Sequence, residues 1–328
     1  MPSVLIVPPR LRGDGPHTQI LRSAGFEIRV PPPEPDTMQE AVLAAQIGDA
    51  EAIIAGTEPY TRKVIFGAPR LRVIVRSGVG YDAIDVKAAE ERGVVVATTP
   101  GVNHIPAAEH ALAMLLALAR GFPRRDRQVR SGDWWTKLPL PRFGGRTLGI
   151  VGLGRIGREL ATRAIALGVK VLASSPRPDR EFAAKHGIEI VPFEELLRRS
   201  DMVSLHAPMI EETRGMINRR TLALMKPGAI LVNTARGGLI VEEDLHAALI
   251  EGRLAAAGLD VFVTEPPPPD HPLLQLDNVL VSQHISGLDD DSYRDAQVML
   301  ANIIVDLARG RWPVEGVVNF SGVVAWKW

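Results

Sequence analysis

Three glycines in the run Thr147-Leu148-Gly149-Ile150-Val151-Gly152-Leu153-Gly154-Arg155-Ile156-Gly157 stand at the spacing Gly-x-Gly-x-x-Gly. Backbone at that spacing can hold a pyrophosphate. Gly152 permits a tight turn, Gly154 lets the phosphates approach the main chain, and Gly157 lets helix and strand pack closely. Arg155 and Ile156 open a helix whose N-terminal amides face the anion. Glycine-rich turns also serve purely structural ends. Here an apolar strand, Leu148 to Val151, runs into the turn and a helical pattern follows it, and that context selects dinucleotide binding.

The next strand, Val169 to Ala173, leads to the residues that should face the adenosine ribose. An NAD site normally places Asp or Glu there, about 20 residues beyond the turn, to grip the 2′-hydroxyl. This chain has Ser174-Ser175-Pro176-Arg177-Pro178-Asp179-Arg180, with Ser175 at the expected acidic position. A carboxylate would repel a 2′-phosphate, whereas hydroxyl and guanidinium groups bind it through charge-assisted hydrogen bonds. NADP is therefore the expected cofactor. NAD is the alternative, with Arg177 and Arg180 as solvated charges and Asp179 as the ribose ligand.

The elements that must position these residues alternate between strand and helix. Val4 to Val7, Ile28 to Val30, Ala52 to Ala55, Val73 to Val75 and Val94 to Ala97 read as strands, and Thr18 to Ala24 and Thr37 to Ile47 as helices. After the turn signal Thr99-Pro100-Gly101 comes a long apolar helix, Pro106 to Arg120. Beyond Leu148 to Val151 the strands are Val169 to Ala173, Met202 to Leu205, Ala229 to Asn233, Ala255 to Leu259 and Val279 to Val281, about the six that a full dinucleotide-binding domain requires. The expected fold class is α/β, with two Rossmann-like domains of parallel sheet covered by helices on both faces. A helix from about Asp290 to Arg309 has no strand after it and is expected to return to the first domain. That gives a discontinuous substrate-binding domain, 1–99 with 287–328, and a dinucleotide-binding domain, 100–286, with the active site in the cleft between them and hinges near Pro100 and Gly287.

Composition excludes several other roles. The 328 residues suit two domains, and 38 basic against 38 acidic residues leave no net charge to draw nucleic acid or an anionic membrane. No apolar run is long enough to span a bilayer, and Met1 to Pro8 reads as an opening strand with no leader features. With no cysteine there is no disulfide, thiolate nucleophile or cysteine-ligated zinc, and no metal site is expected. A cytoplasmic location follows as the default expectation.

Further motifs carry a resemblance over nearly the whole chain. They are Arg76-Ser77-Gly78-Val79-Gly80-Tyr81-Asp82, Gly101-Val102-Asn103-His104 through Glu109-His110, the glycine turn, and Ser200 to Pro208. Val232-Asn233-Thr234-Ala235-Arg236-Gly237-Gly238, Gly258-Leu259-Asp260-Val261-Phe262, Glu265-Pro266 and Gln283-His284-Ile285-Ser286-Gly287 complete the set. In order and spacing they resemble the D-isomer-specific 2-hydroxyacid dehydrogenase family, above all its phosphoglycerate and hydroxypyruvate/glyoxylate branches. The family uses Arg, Glu and His in that chain order, and the matching residues are Arg236, Glu265 and His284.

Reduction of a 2-oxo acid needs a hydride, a proton for the nascent alkoxide and a clamp for the carboxylate. Arg236 suits the clamp because its planar fork matches paired oxygens. His284 suits proton transfer, and Glu265 can fix its tautomer through the other ring nitrogen. Singly, each has a plain reading as an exposed arginine, a loop glutamate or a capping histidine; together, at successive strand ends, they read as a catalytic set. The resemblance further implies that the amides of Val79 and Gly80 bind the substrate carboxylate and that Asp260 accepts from the nicotinamide carboxamide. It places His206 and Pro208 along the adenosine side, with Thr234 and Ala235 by the nicotinamide half. His104 and His110 read as packing or capping histidines, and Trp134-Trp135 with Leu138 to Pro141 as an arm of a homodimer.

Many family members have proline before the catalytic histidine, where this chain has Gln283. A carboxylate in the loop Ala55-Gly56-Thr57-Glu58-Pro59 counts against a substrate phosphate, and no regulatory domain is expected after the last helix. Small 2-oxo acids such as glyoxylate and hydroxypyruvate are therefore the expected partners, with 3-phosphoglycerate and NAD as the alternative. A dinucleotide-sensing scaffold without turnover is the reading from another class.

Overall fold

The computed structural model describes residues 1–34, 36–137, 139–320 and 326–328. Pro35 of the proline-rich run, Leu138 of the expected arm and 321–325 of the C-terminal stretch lie outside the described residues. The chain divides into two compact units, one formed by Met1–Asn103 with Asp289–Trp328 and the other by His104–Leu288.

In the first unit the order is β1 (Ser3–Ile6), α1 (Pro16–Ser23), β2 (Glu27–Arg29), α2 (Glu40–Ile47), β3 (Ala52–Ala55), α3 (Arg62–Phe66), β4 (Val73–Arg76), α4 (Val86–Glu91) and β5 (Val95–Ala97). The strands form a parallel sheet of order β2-β1-β3-β4-β5. Successive side chains point to opposite faces, so an unbroken apolar run serves a sheet that is covered on both. Leu5, Ile53, Ile74 and Val96 pack with Leu43 of α2, Val64 of α3 and Ala88 of α4. Val4, Ile6, Ile54 and Val75 pack with Leu21 of α1 and with Leu300 and Ile304 of the chain's last helix, Asp290–Ala308. The helix expected from Thr37 begins at Glu40 instead. Asp36 accepts the Met38 amide on its side chain and the Gln39 amide on its carbonyl, and this turn takes the residues that propensity assigned to the helix.

The second unit runs α5 (His104–Ala119), α6 (Phe122–Arg130), β6 (Thr147–Val151), α7 (Arg155–Ala166), β7 (Lys170–Ser174), α8 (Arg180–His186), β8 (Glu189–Ile190), α9 (Phe193–Arg199), β9 (Met202–Leu205), α10 (Arg219–Leu222), β10 (Ala229–Asn233), α11 (Glu242–Ile250), β11 (Leu254–Leu259) and β12 (Val279–Val281). The last helix is α12. Its parallel sheet has the order β12-β11-β10-β9-β6-β7-β8, seven strands where six were expected. The seventh, β8, is a two-residue edge strand beside Leu172 and Ala173, too short to show a period. Helix α6 was also unforeseen; it buries no residue, and its apolar Phe122 and Val129 are exposed. Among the described residues no single helix is long and apolar enough to cross a membrane; α5, the most apolar, buries Ala108, Ala111 and Leu115 in the core of this unit.

Strand β6 lies between β7 and β9, so the chain leaves it in one direction and returns on its other side. The C-terminal ends of parallel strands at such a switch point open the crevice in which doubly wound sheets take their ligands.

Candidate active site

The glycine turn sits at that switch. Gly152 follows β6 at φ 100°, and a Cβ there would stand 2.7 Å from the carbonyl carbon and oxygen of His206. A Cβ on Gly157 would meet the Gly152 carbonyl oxygen at 2.2 Å. Beside Gly154, by contrast, there is open space. Helix α7 begins on Gly154 with no side-chain cap and no acidic residue in its first turn. Its leading amides, those of Arg155 and Ile156 included, have no intrahelical acceptor and suit an anion. Two buried polar atoms nearby in the sheet edge, His206 Nδ1 and Thr234 Oγ1, have no hydrogen-bond partner. The open side of Gly154, the uncapped helix and these two atoms fit a bound nicotinamide dinucleotide.

Ser174 closes β7, and its carbonyl accepts the Gly152 amide at 2.8 Å, which ties the ribose loop to the turn. Ser175 is half-buried, and Arg177 and Arg180 are exposed. Asp179 points elsewhere. One of its oxygens caps α8 by accepting the Phe182 amide at 3.0 Å, and the other lies 3.0 Å from Arg158 of α7, whose guanidinium stacks over the Phe182 ring. Pro208 is exposed beyond β9, and Ala235 donates its amide to Asn233 Oδ1.

Arg236, Glu265 and His284 come from the ends of the adjacent strands β10, β11 and β12. His284 Nδ1 lies 2.6 Å from Glu265 Oε2, and Glu265 Oε1 accepts the Phe262 amide at 3.0 Å. Burial acts to raise the Glu265 carboxyl, but the His284 bond, the Phe262 amide and the charge of Arg236 outweigh it and hold the group below the usual glutamate range. A charged Glu265 therefore fixes the His284 tautomer and leaves Nε2 for chemistry. Asn233, buried at the end of β10, shapes the Arg236 turn by donating from Nδ2 to the Arg236 carbonyl at 2.8 Å. Gln283, in place of the family's proline, is exposed.

Asp260 is held on several sides by protein donors. Its side chain has no exposed surface, and its oxygens accept Ser282 Oγ and the amides of Ile285 and Ser286. It thereby ties down the loop that carries His284. Glu58 of the first unit is likewise held by protein donors. It is 4% exposed and turned inward to the Gly56 amide at 2.7 Å and the Tyr60 hydroxyl. Within that unit Val79 is exposed and Gly80 half-buried, in a loop pinned where Gly78 exchanges hydrogen bonds with Thr99. His104 opens α5, and its Nδ1 is buried without a partner. Ser282 and Arg158 are site neighbours that no sequence reading singled out, and His110, read as a packing or capping histidine, lies 2.9 Å from Ser282 Oγ through its Nε2.

His206 has a consequence for stability. Its Nε2 lies 2.8 Å from Ser204 Oγ, and burial pushes the imidazole down to about 4. An unfolded histidine titrates near 6.5, so as the pH falls through that window the unfolded chain gains a proton that the folded chain refuses. The group then withdraws up to about 3 kcal/mol of stability between about pH 6.5 and about pH 4. Denaturant midpoints measured at neutral and acid pH should fall less steeply for His206→Gln than for the parent; parallel slopes would show that His206 does not govern this window.

The model of the D-isomer-specific 2-hydroxyacid dehydrogenase NAD-binding domain matches residues 112–286. A glyoxylate reductase of Korarchaeum cryptofilum is 42% identical over 278 residues, 83% of this chain and 84% of its own length. A D-3-phosphoglycerate dehydrogenase of Archaeoglobus fulgidus is 40% identical over 305 residues, and the match spans 92% of this chain but only 57% of that relative. The crystal structure of the TT0316 protein from Thermus thermophilus superposes with a TM-score of 0.86 at 36% identity, covering 96% of this chain and 100% of that one.

Proposed function

The chain belongs to the D-isomer-specific 2-hydroxyacid dehydrogenase family, oxidoreductases that act on a CH–OH donor with a nicotinamide dinucleotide, and from that premise we propose that it reduces small 2-oxo acids, glyoxylate and hydroxypyruvate among them, with NADPH as the preferred reductant. The observation that carries this reading is the 2.6 Å contact between His284 and Glu265 beside the charge of Arg236, on the sheet edge that also carries the glycine turn. The dinucleotide, when bound, supplies the hydride. Arg236 pairs with the substrate carboxylate and polarises the carbonyl, and the amides of Val79 and Gly80 are assigned to the same carboxylate. As the new C–H bond forms, the carbonyl π electrons move to oxygen, which takes the proton from His284 Nε2; Glu265 stabilises the imidazolium before that transfer. Gly152, Gly154, Arg155, Ile156 and Gly157 would hold the pyrophosphate. Ser175 and Arg177 would take the 2′-phosphate, with Ser174, Arg180, His206, Pro208, Thr234 and Ala235 around the rest of the cofactor. The engagement of Asp179 by Phe182 and Arg158 supports this choice over a ribose contact from Asp179. We also assign the exposed Trp134 and Trp135 to a homodimer contact.

Oxidation of 3-phosphoglycerate is the second reading, favoured by the inward turn of Glu58 and by Arg10, whose Nη2 lies 3.4 Å from Ser77 Oγ. A steady-state panel of glyoxylate, hydroxypyruvate and phosphohydroxypyruvate with each reduced cofactor separates the two. The expected result is a kcat/KM for the unphosphorylated acids at least about tenfold above that for the phosphorylated one, the loss attached to one unmatched charge. The reverse order would establish the second reading, and no turnover with any acid would leave a dinucleotide-binding scaffold.

A further inference from the structure

His284 is one of the few non-glycine residues with a positive φ, 51°. Side chains rarely adopt that backbone conformation, and it persists only where surrounding bonds impose it. Those bonds converge on Asp260. Its carbonyl accepts the His284 amide at 2.8 Å, Oδ1 accepts the Ile285 amide at 2.9 Å, and Oδ2 accepts the Ser286 amide at 2.9 Å. The Asp260 amide in turn donates to the Asn233 carbonyl at 3.0 Å, so the same residue is anchored to the last residue of β10, three before Arg236.

The chain of contacts continues away from the chemistry. Ser282 Oγ donates to Asp260 Oδ1 at 2.5 Å, and His110 Nε2 of helix α5 lies 2.9 Å from that hydroxyl and 3.8 Å from Oδ1. A serine hydroxyl has one proton, and here it is given to Asp260. His110 must therefore donate Nε2–H to Ser282 Oγ. This fixes the His110 tautomer, directs the serine proton to the carboxylate and stiffens a buried acceptor that already carries two backbone amides.

We propose that His110 is a positioning residue for the proton-transfer histidine: through Ser282 and Asp260 it holds the 282–286 segment in the one conformation that keeps His284 Nδ1 on Glu265. The assignment rests on the reading of His284 as the acid. A His110 that merely filled space on α5 would need no donor at Nε2, and an isosteric apolar side chain would replace it.

Two substitutions separate these roles. Glutamine places an N–H where Nε2 stands, whereas leucine keeps the bulk and removes the donor. His110→Leu should lower kcat by about ten- to a hundredfold, the usual consequence of a small misplacement at the reacting centre, while the dissociation constant for NADPH, read by fluorescence titration, stays unchanged. His110→Gln should restore most of the lost kcat. Ser282→Ala breaks the same link in the middle and should reproduce the leucine result, which covers the case in which His110→Leu does not fold. Wild-type kcat in both His110→Leu and Ser282→Ala, or equal losses in the leucine and glutamine variants, would overturn the proposal. His284→Ala, measured in parallel, keeps the two ideas apart: if its turnover is intact, the acid assignment itself fails, and if it is inactive while His110→Leu is not, only the positioning role fails.

Discussion

Replacing His284 with alanine should lower kcat for 2-oxo acid reduction by about two to four orders of magnitude, the range of a well-placed general acid. The imidazole hangs from a loop after β12, with Nδ1 committed to Glu265 at 2.6 Å, which leaves Nε2 as its group for proton delivery. Glu265→Gln should cost less, because an amide still accepts a hydrogen bond. It removes the negative charge that favours the protonated ring, and the alkaline fall in kcat/KM for reduction should move to lower pH. Near-parental turnover in His284→Ala would reject the assignment outright. An unmoved pH profile in Glu265→Gln would show that the pair orients the ring without tuning it.

The second large effect is on cofactor choice. The parent should use NADPH with a kcat/KM at least about tenfold above that for NADH at low salt, since one charge-assisted contact to the 2′-phosphate contributes roughly 1.5–3 kcal/mol. Arg177 and Arg180 are exposed, so the preference should weaken as ionic strength rises. The double variant Ser175→Asp with Arg177→Ala should invert it, because a carboxylate at the end of β7 repels the phosphate and accepts from a free 2′-hydroxyl. Asp179 is unsuited to take over that contact while Phe182 and Arg158 hold both its oxygens. A parent enzyme that prefers NADH would defeat this account of the loop.

What could be read from the residues alone was the part that backbone geometry or strand periodicity imposes. The glycine turn was legible because only glycine tolerates the approach of His206 and of the Gly152 carbonyl seen at Gly152 and Gly157. The strands were legible because both sheets are buried on two faces, which leaves continuous apolar runs. Arg236, Glu265 and His284 could be named in order and placed after successive strands, but their spacing does not say that His284 Nδ1 meets Glu265. Side-chain direction was out of reach. Nothing in the residues alone said that the Asp260 and Glu58 carboxylates accept backbone amides. Helix α6 is mostly charged and buries nothing, so no core-facing run marked it. The contact between His110 and Ser282 joins positions 172 residues apart, a separation that no local pattern encodes.

The left-handed backbone at His284 also sets thermodynamics against chemistry at one residue. Asparagine or glycine would sit more comfortably at that φ, yet neither has an imidazole. On the proposed assignment the site keeps an imidazole where glycine would leave the backbone relaxed. On the same assignment, a relaxed residue at this position should give a sturdier protein that binds oxo acid and reduced dinucleotide but turns them over far more slowly.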